Sequence, residues 1–158
     1  MPDRSSELLQ ALVDDEDLEG LLQVVTMDEV ADAWCRYTER REHAGPDDDA
    51  DPDWWAIEFF MMRPIFSNGR VYRSGLLALL RRANSDYLVS CVAAGPLENF
   101  VSDDESDLRW LEQEAARNEV LRRALTGVWC HGHVSEATFA RLERAAGQAL
   151  PRQGEAAD

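Results

Sequence analysis

Apolar residues recur along this chain at intervals of three and four, and that spacing constrains the fold more than any other feature. Leu18, Leu21, Leu22 and Val25 stand at i, i+3, i+4 and i+7, the pattern of one buried helix face. Val30, Trp34, Tyr37 and Arg41 share a face in the same way, as do Tyr72, Leu76, Leu79, Leu80 and Ala83, and then Leu108, Leu111 and Ala115. No stretch alternates strictly between apolar and polar residues, so nothing reads as a half-buried strand. The expected fold is all-α: a single compact domain of about seven to nine short helices, an irregular solenoid-like stack being one form it can take. A chain of 158 residues suits one domain, and folding at that length buries roughly 70% of the extended surface. Such a core needs no disulfide and no metal.

Polar residues mark where the helices begin. Ser5 or Ser6 can cap a first helix carrying Leu8, Leu9 and Leu12, and the run Asp14-Asp15-Glu16-Asp17 suits the start of a second. Thr26 with Glu29 three residues on is a capping box. Residues 44–53, with two Pro and five Asp, read as a surface loop. From Trp54 to Met62 every residue but Glu58 is apolar, which predicts a central, buried helix that Pro64 ends. Ser67-Asn68-Gly69 turns the chain into the Tyr72 helix, where Gly75 is an internal cost. Asn84-Ser85-Asp86 caps the next helix, and further helices are expected around Leu108, around Val120 to Val128, and after Ser135. At Ala94-Gly95-Pro96-Leu97-Glu98 the apolar segment from Tyr87 meets Gly95 and a new segment starts at Pro96. Gly can close one helix and Pro open the next, so Gly95 and Pro96 predict a tight helix-to-helix corner with Glu98 in the new first turn. The organisation expected is an acidic helical extension over 1–26, a helical domain over 27–150 and a disordered polar tail over 151–158.

Charge is the most informative bulk property. The formal net charge is −15. Residues 1–53 hold 17 of the 31 acids but only four bases, Arg4, Arg36, Arg40 and Arg41, a net of −13. All 16 basic residues are Arg. A solvated acidic surface, with a GC-rich genome writing Arg for Lys, is the favoured reading, and an acidic face for a basic protein partner is the sharper one. Direct binding to nucleic acid is disfavoured because phosphates would be repelled. No run of about 18 uncharged apolar residues is present, so no membrane span is expected. The start, Met1 to Glu7, lacks the basic and apolar regions of a secretion signal. Cys35, Cys91 and Cys130 are odd in number and widely spaced, which points to reduced thiols in a cytoplasm.

Three motifs, Asp53-Trp54-Trp55-Ala56-Ile57-Glu58, Ala93-Ala94-Gly95-Pro96-Leu97-Glu98 and Leu125-Thr126-Gly127-Val128-Trp129, together resemble a bacterial domain-of-unknown-function family, number 6869. That family has a Trp-rich helix bearing an acid, an alanine-glycine-proline-leucine-glutamate corner, and an Arg-containing helix ending in glycine-valine-tryptophan. Arg122 and Arg123 stand where its arginine stands. The resemblance covers about Met27 to Leu142. It departs at Pro64-Ile65-Phe66 and the longer Ser67-to-Arg73 link, where the family often has a proline-glutamate pair. The resemblance implies the helical fold and carries no activity, cofactor or catalytic residue.

Glu58 is the lone charge in an apolar segment, and a buried carboxylate must be paired or protonated. A structural ion pair with one of the many arginines is the favoured reading, with general-base chemistry as the alternative. Glu98 reads as a structural carboxylate too, capping a first turn and bonding Arg122 or Arg123. Cys130-His131-Gly132-His133 has ligand types at zinc spacing but no second half-motif, so no metal is expected. Cys35 and Cys91 have no nearby His in sequence and read as small core residues. No phosphate loop, nucleophile elbow or metalloprotease motif is present, and no cofactor is expected. Two function classes follow. The first is a binding protein of the immunity or antitoxin type, which inhibits a basic toxin or nuclease, a nucleic-acid mimic being the extreme case. Asp14, Asp15, Asp17, Asp47, Asp48 and Asp49, with Trp54 and Trp55, are its expected partner contacts. The second is a small hydrolase-like enzyme using Glu58 in a pocket lined by Trp54 or Trp55. The lack of a catalytic constellation favours the first.

Overall fold

The computed structural model describes residues 5–154, which are helical with no named strand among them. Eight of the helices among these residues run to seven residues or more. The expected all-α class holds. Residues 1–4 and 155–158 lie outside the described residues, and with them the start of the sequence read for a secretion signal and the end of the tail read as disordered. The described residues of this all-α domain fall into two compact units, divided between Asn84 and Ser85.

The first unit is built from α1 (Ser6–Asp14), α2 (Leu18–Val24), α3 (Met27–Arg41), α4 (Trp54–Phe59), α5 (Arg63–Phe66) and α6 (Gly69–Arg82). Its starts follow the polar residues: Ser5 Oγ accepts from the Leu8 amide, Asp17 from the Gly20 amide, and Thr26 and Glu29 exchange both bonds of a capping box. Helix α3 packs along α6 and α4, and α1 packs on α4 and α2. Val30, Trp34, Tyr37, Phe59, Ile65, Tyr72, Leu76 and Leu79 form the buried centre. At the ends of the α3–α6 pair, Arg81 bonds Asp28 and Arg82 bonds both Asp28 and Asp32.

Three expectations change here. The described part of the segment 1–26 packs into the unit, with Leu9, Val13, Leu18 and Leu21 buried, and does not stand off as an extension. The apolar segment from Trp54 is not one buried helix. It breaks at Phe60, leaves Met61 58% exposed, and restarts as α5 with Pro64 in its first turn. Pro has no amide to donate and its fixed φ suits that position, so it opens a helix here and does not merely end one. Gly75 is not a tolerated defect either. A Cβ there would stand 2.8 Å from a Phe60 ring carbon, so the glycine makes the seat for that ring. Phe60 in turn meets Phe59 and Tyr72 edge-to-face, at 5.1 and 5.8 Å between centroids.

The second unit comprises α7 (Asp86–Val92), a π-helical segment (Ala93–Leu97), α8 (Glu98–Phe100), α9 (Glu105–Ala115), α10 (Glu119–Leu125) and α11 (Glu136–Ala146). Ser85, Asp104, Asn118 and Ser135 cap the four longer helices, and Gly147, at φ 75°, closes α11 in the left-handed conformation. Leu88, Val92, Leu97, Leu108, Leu111, Leu121, Leu125, Phe139 and Leu142 are its core. Arg141 joins α11 to α9 by bonding Glu112 at 2.7 Å and Glu105 at 2.8 Å.

The expected corner at Gly95-Pro96 does not form. Gly95 is not among the residues with positive φ, and Ala93 and Glu98 both keep right-handed helical torsions. The helix runs on from α7 into α8 through a π turn, in which the Glu98 amide reaches back to the Ala93 carbonyl. Pro96 is the physical reason: it lacks an amide, and in an α-helix its ring strikes the carbonyl four residues back. Widening the turn admits the proline without ending the helix. The tail is also docked as far as it is described. Leu150 is buried, Arg152 lies over Phe139 at 4.7 Å and beside Glu143, and the Gln153 amide donates to His131 Nδ1.

Candidate functional site

The acidic residues of the first unit sort themselves by what they bond. Arg36 makes a two-point pair with Asp53, at 2.9 and 3.2 Å. Arg40 does the same with Asp51, at 2.6 and 3.0 Å, and reaches Asp53 at 2.7 Å. These bonds tie the 44–53 loop to α3, and the Arg40 guanidinium holds the Asp51 carboxyl below its ordinary value. The Tyr37 hydroxyl donates to Asp47 and accepts from the Asp48 amide. Asp17 is spent on capping α2. Among the described residues, what stays open is the row along α1 and the tip of the loop.

Glu7, Gln10 and Asp14 lie three and four residues apart and so share a stripe of α1. With Asp49, Asp51 and Pro52 they line a shallow groove of about 350 Å³. Asp14 also belongs to a second groove of about 450 Å³, lined by Val13, Asp15, Glu16, Glu58, Met61, Met62 and Arg63. Gln10 joins the two, since its amide nitrogen donates to both Asp14 and Glu58. One acidic surface therefore runs from the loop, across α1, to the break between α4 and α5.

Glu16 fixes the far wall. It holds φ 54°, a left-handed conformation uncommon for a residue with a side chain. From there its carboxylate accepts the Arg63 amide at 3.2 Å and the Arg63 guanidinium, capping α5 from 47 residues away. The Arg63 side-chain bonds, then its amide bond, hold the Glu16 carboxyl below its ordinary value.

Of the expected contacts, Asp14, Asp15 and Asp49 line this surface. Asp17 and Asp47 serve internal bonds, and Asp48 accepts from the Ala50 amide. Trp55 is a correction: at 4% exposed it is core. Trp54 is half-buried with its ring 5.5 Å from that of Tyr37. Glu58 is half-buried, and among the described residues it takes its hydrogen bond from Gln10 and not from an arginine. The Trp-lined pocket expected for it is not what surrounds it in this groove, whose apolar residues are Val13, Met61 and Met62. Trp55 lines a separate cleft with Arg36 and Asp53. Sequence reasoning missed Gln10, Glu16 and Met61. Only a helix break at Phe60 puts Met61 outside, and apolar periodicity carries no signal of it.

In the second unit Glu98 does not meet Arg122 or Arg123. Arg122 donates to the Ala115 carbonyl at 2.6 Å, and Arg123 pairs with Asp86. Because the helix is continuous, Glu98 also has no free first-turn amides to cap. Cys130 is buried, and burial first, then the Glu98 and Glu143 charges, push its thiol up to about 11. His131 packs edge-to-face on Phe139, 5.1 Å between centroids, and His133 is exposed. Cys35 is pushed up to about 11 by burial as well, so neither thiol is a ready nucleophile. Among the described residues no three His, Cys, Asp or Glu side chains are grouped to hold a metal ion.

Fold and site together define a class: an all-α acidic protein that presents carboxylates and an exposed methionine along one surface of its first unit. The chain belongs to a family of unknown function, DUF6869, whose model matches residues 43–150. The match takes in all three motifs, starts later than the resemblance at Met27 suggested, and runs on past Leu142. Comparison with curated proteins and with solved structures returned no match.

Proposed function

We propose that the protein works by binding a basic protein partner through the acidic surface of its first unit, as an inhibitor of the immunity or antitoxin type that covers a cationic site on a toxin or nuclease. The observation that carries this reading is the joining of two acidic grooves at Asp14, with Glu7, Asp15 and Asp49 exposed and Glu58 half-buried along them. An ordered acidic surface steers a cationic partner and speeds association, and salt weakens the effect. A surface of this kind also imitates the charge of a nucleic acid, which supports a nuclease as the target. No helix of the described residues is long and apolar enough to cross a membrane. Cys35, Cys91 and Cys130 are reduced cysteines, which suits a cytoplasmic setting.

The test is affinity capture from the native host with the wild-type chain beside a variant carrying Asp14, Asp15, Asp17, Asp47, Asp48 and Asp49 all changed to Asn. Asn keeps the acceptor oxygens that Asp17, Asp47 and Asp48 use internally, so folding is preserved while charge is removed. The expected result is a basic protein that the wild type holds, that salt releases, and that the variant binds more slowly and with a flatter salt dependence. A partner indifferent to both salt and these substitutions overturns the proposal.

A further inference from the structure

Among the described residues Met61 is the most exposed large apolar side chain, at 58%, and Phe66, five residues on in sequence, is 50% exposed. Met61 belongs to the break where α4 gives way to α5, and Phe66 is the last residue of α5. Met61 lines the groove in which Asp14, Asp15, Glu16 and Glu58 also stand, with Val13 and Met62. One exposed apolar side chain set among carboxylates selects one kind of occupant. A purely cationic ligand leaves Met61 in water, and a purely apolar one desolvates the carboxylates without pairing them. A segment that is apolar on one side and cationic on the other satisfies both.

The chain itself shows which cation suits the walls. Arg63 already lays its guanidinium on Glu16 at the groove's edge, with its side chain 88% exposed. Among the described residues Asp14 and Glu58, by contrast, share only the neutral amide of Gln10. A guanidinium offers five donors in a fixed fork and a positive charge, so it can take both carboxylates where the amide only bridges them. Methionine adapts its shape to varied apolar side chains, which suits a docking contact.

We infer that the groove between the end of α1 and the α4–α5 break is the docking site for an arginine-bearing amphipathic segment of a partner protein, whose apolar side chain seats on Met61 while its arginine pairs with Asp14 and Glu58. This inference rests on the proposed binding of a basic partner and adds the site and the chemistry of the segment.

The probe is a synthetic 14-residue amphipathic helix with Leu at i, i+3, i+4 and i+7 and Arg on its flanks. One control replaces each Arg by citrulline, which keeps shape and removes charge, and another replaces each Leu by Ser. Binding is followed by amide chemical shifts and by titration calorimetry at low and moderate salt. The expected shifts centre on Val13 to Glu16 and Glu58 to Arg63, with both controls at least tenfold weaker. Met61→Ser, an exposed position, is expected to weaken the parent peptide about tenfold, as loss of one buried apolar side chain does, with an unchanged salt slope. Asp14→Asn with Glu58→Gln is expected to weaken it and flatten the slope. If the acid variants act and Met61→Ser and the Leu-to-Ser control do not, binding is diffuse attraction. This docking site is then wrong while the basic-partner reading stands. If neither set of variants acts, or shifts centre on the Trp55 cleft, both fail.

Discussion

At the residue scale, arginine forks decide where charge is neutralised. Asp53 is buried and receives three bonds from Arg36 and Arg40. Asp53→Ala would leave both guanidiniums without it and loosen the loop from α3. A loss of about 1–2 kcal/mol in urea denaturation is expected, moderated because both arginines are partly in water. Arg141 makes the parallel case in the second unit. It takes two carboxylates with one planar fork, four bonds between 2.7 and 3.2 Å. Arg141→Lys should therefore restore little of what Arg141→Ala loses, since an ammonium cannot match that geometry. A lysine variant as stable as wild type by thermal melting would show that charge alone suffices there.

At the element scale, the π segment is the feature that motif reading got wrong, and two glycines distinguish the alternatives. A corner needs Gly95 in the left-handed region, where Ala is costly. A continuous helix has Gly95 in a right-handed turn, with nothing within 4 Å of an added Cβ. Gly95→Ala should then raise stability by about 0.5–1 kcal/mol, the ordinary gain of Ala over Gly inside a helix. Gly127→Ala should do the reverse, because its Cβ would sit 3.2 Å from that of Ala93 and push α10 off the π segment, at a cost of about 1–3 kcal/mol. Destabilisation by Gly95→Ala in chemical denaturation would restore the corner. The motif Ala93 to Glu98 was legible as a special backbone site, since Gly beside Pro is rare inside a helix. Its geometry was not, because the same dipeptide can end a helix or widen one.

At the scale of the whole molecule, stability should fall off at both ends of the pH range. Glu16, Asp28, Asp51, Glu105 and Glu112 have carboxyls held below their ordinary values chiefly by arginine bonds, and Asp103 by bonds from Thr138 and Ser135. A lowered folded value means that the stabilisation is complete above the ordinary carboxylate range and is lost as pH falls through the folded values. The melting temperature should thus hold steady above about pH 5 and decline below about pH 4. Burial raises Cys35 and Cys130 to about 11 and raises Tyr72 as well. For these groups stability is present below the unfolded value and lost as pH rises from it toward the folded one, so a decline above about pH 9 is expected. A melting curve that rises as pH falls from 5 to 3 would mean that relief of acidic repulsion outweighs loss of the ion pairs.

The sequence by itself determined the helical class and most helix starts, because both depend on local chemistry: apolar spacing of three and four, and a polar side chain three residues before an amide. Thr26 with Glu29, Asp17, Ser85 and Ser135 cap as their positions dictate. It also determined the acidic excess of residues 1–53 and the family. Only the tertiary structure decided which acids remain open. Arg36 and Arg40 are distant in sequence from Asp51 and Asp53 and quench them because the loop folds back onto α3. Glu58 meets Gln10 rather than an arginine because α1 packs on α4. Met61 reaches solvent because Phe60 leaves the helix to fill the seat made by Gly75. Each of these depends on which surfaces meet across tens of residues, and local spacing carries no information about that.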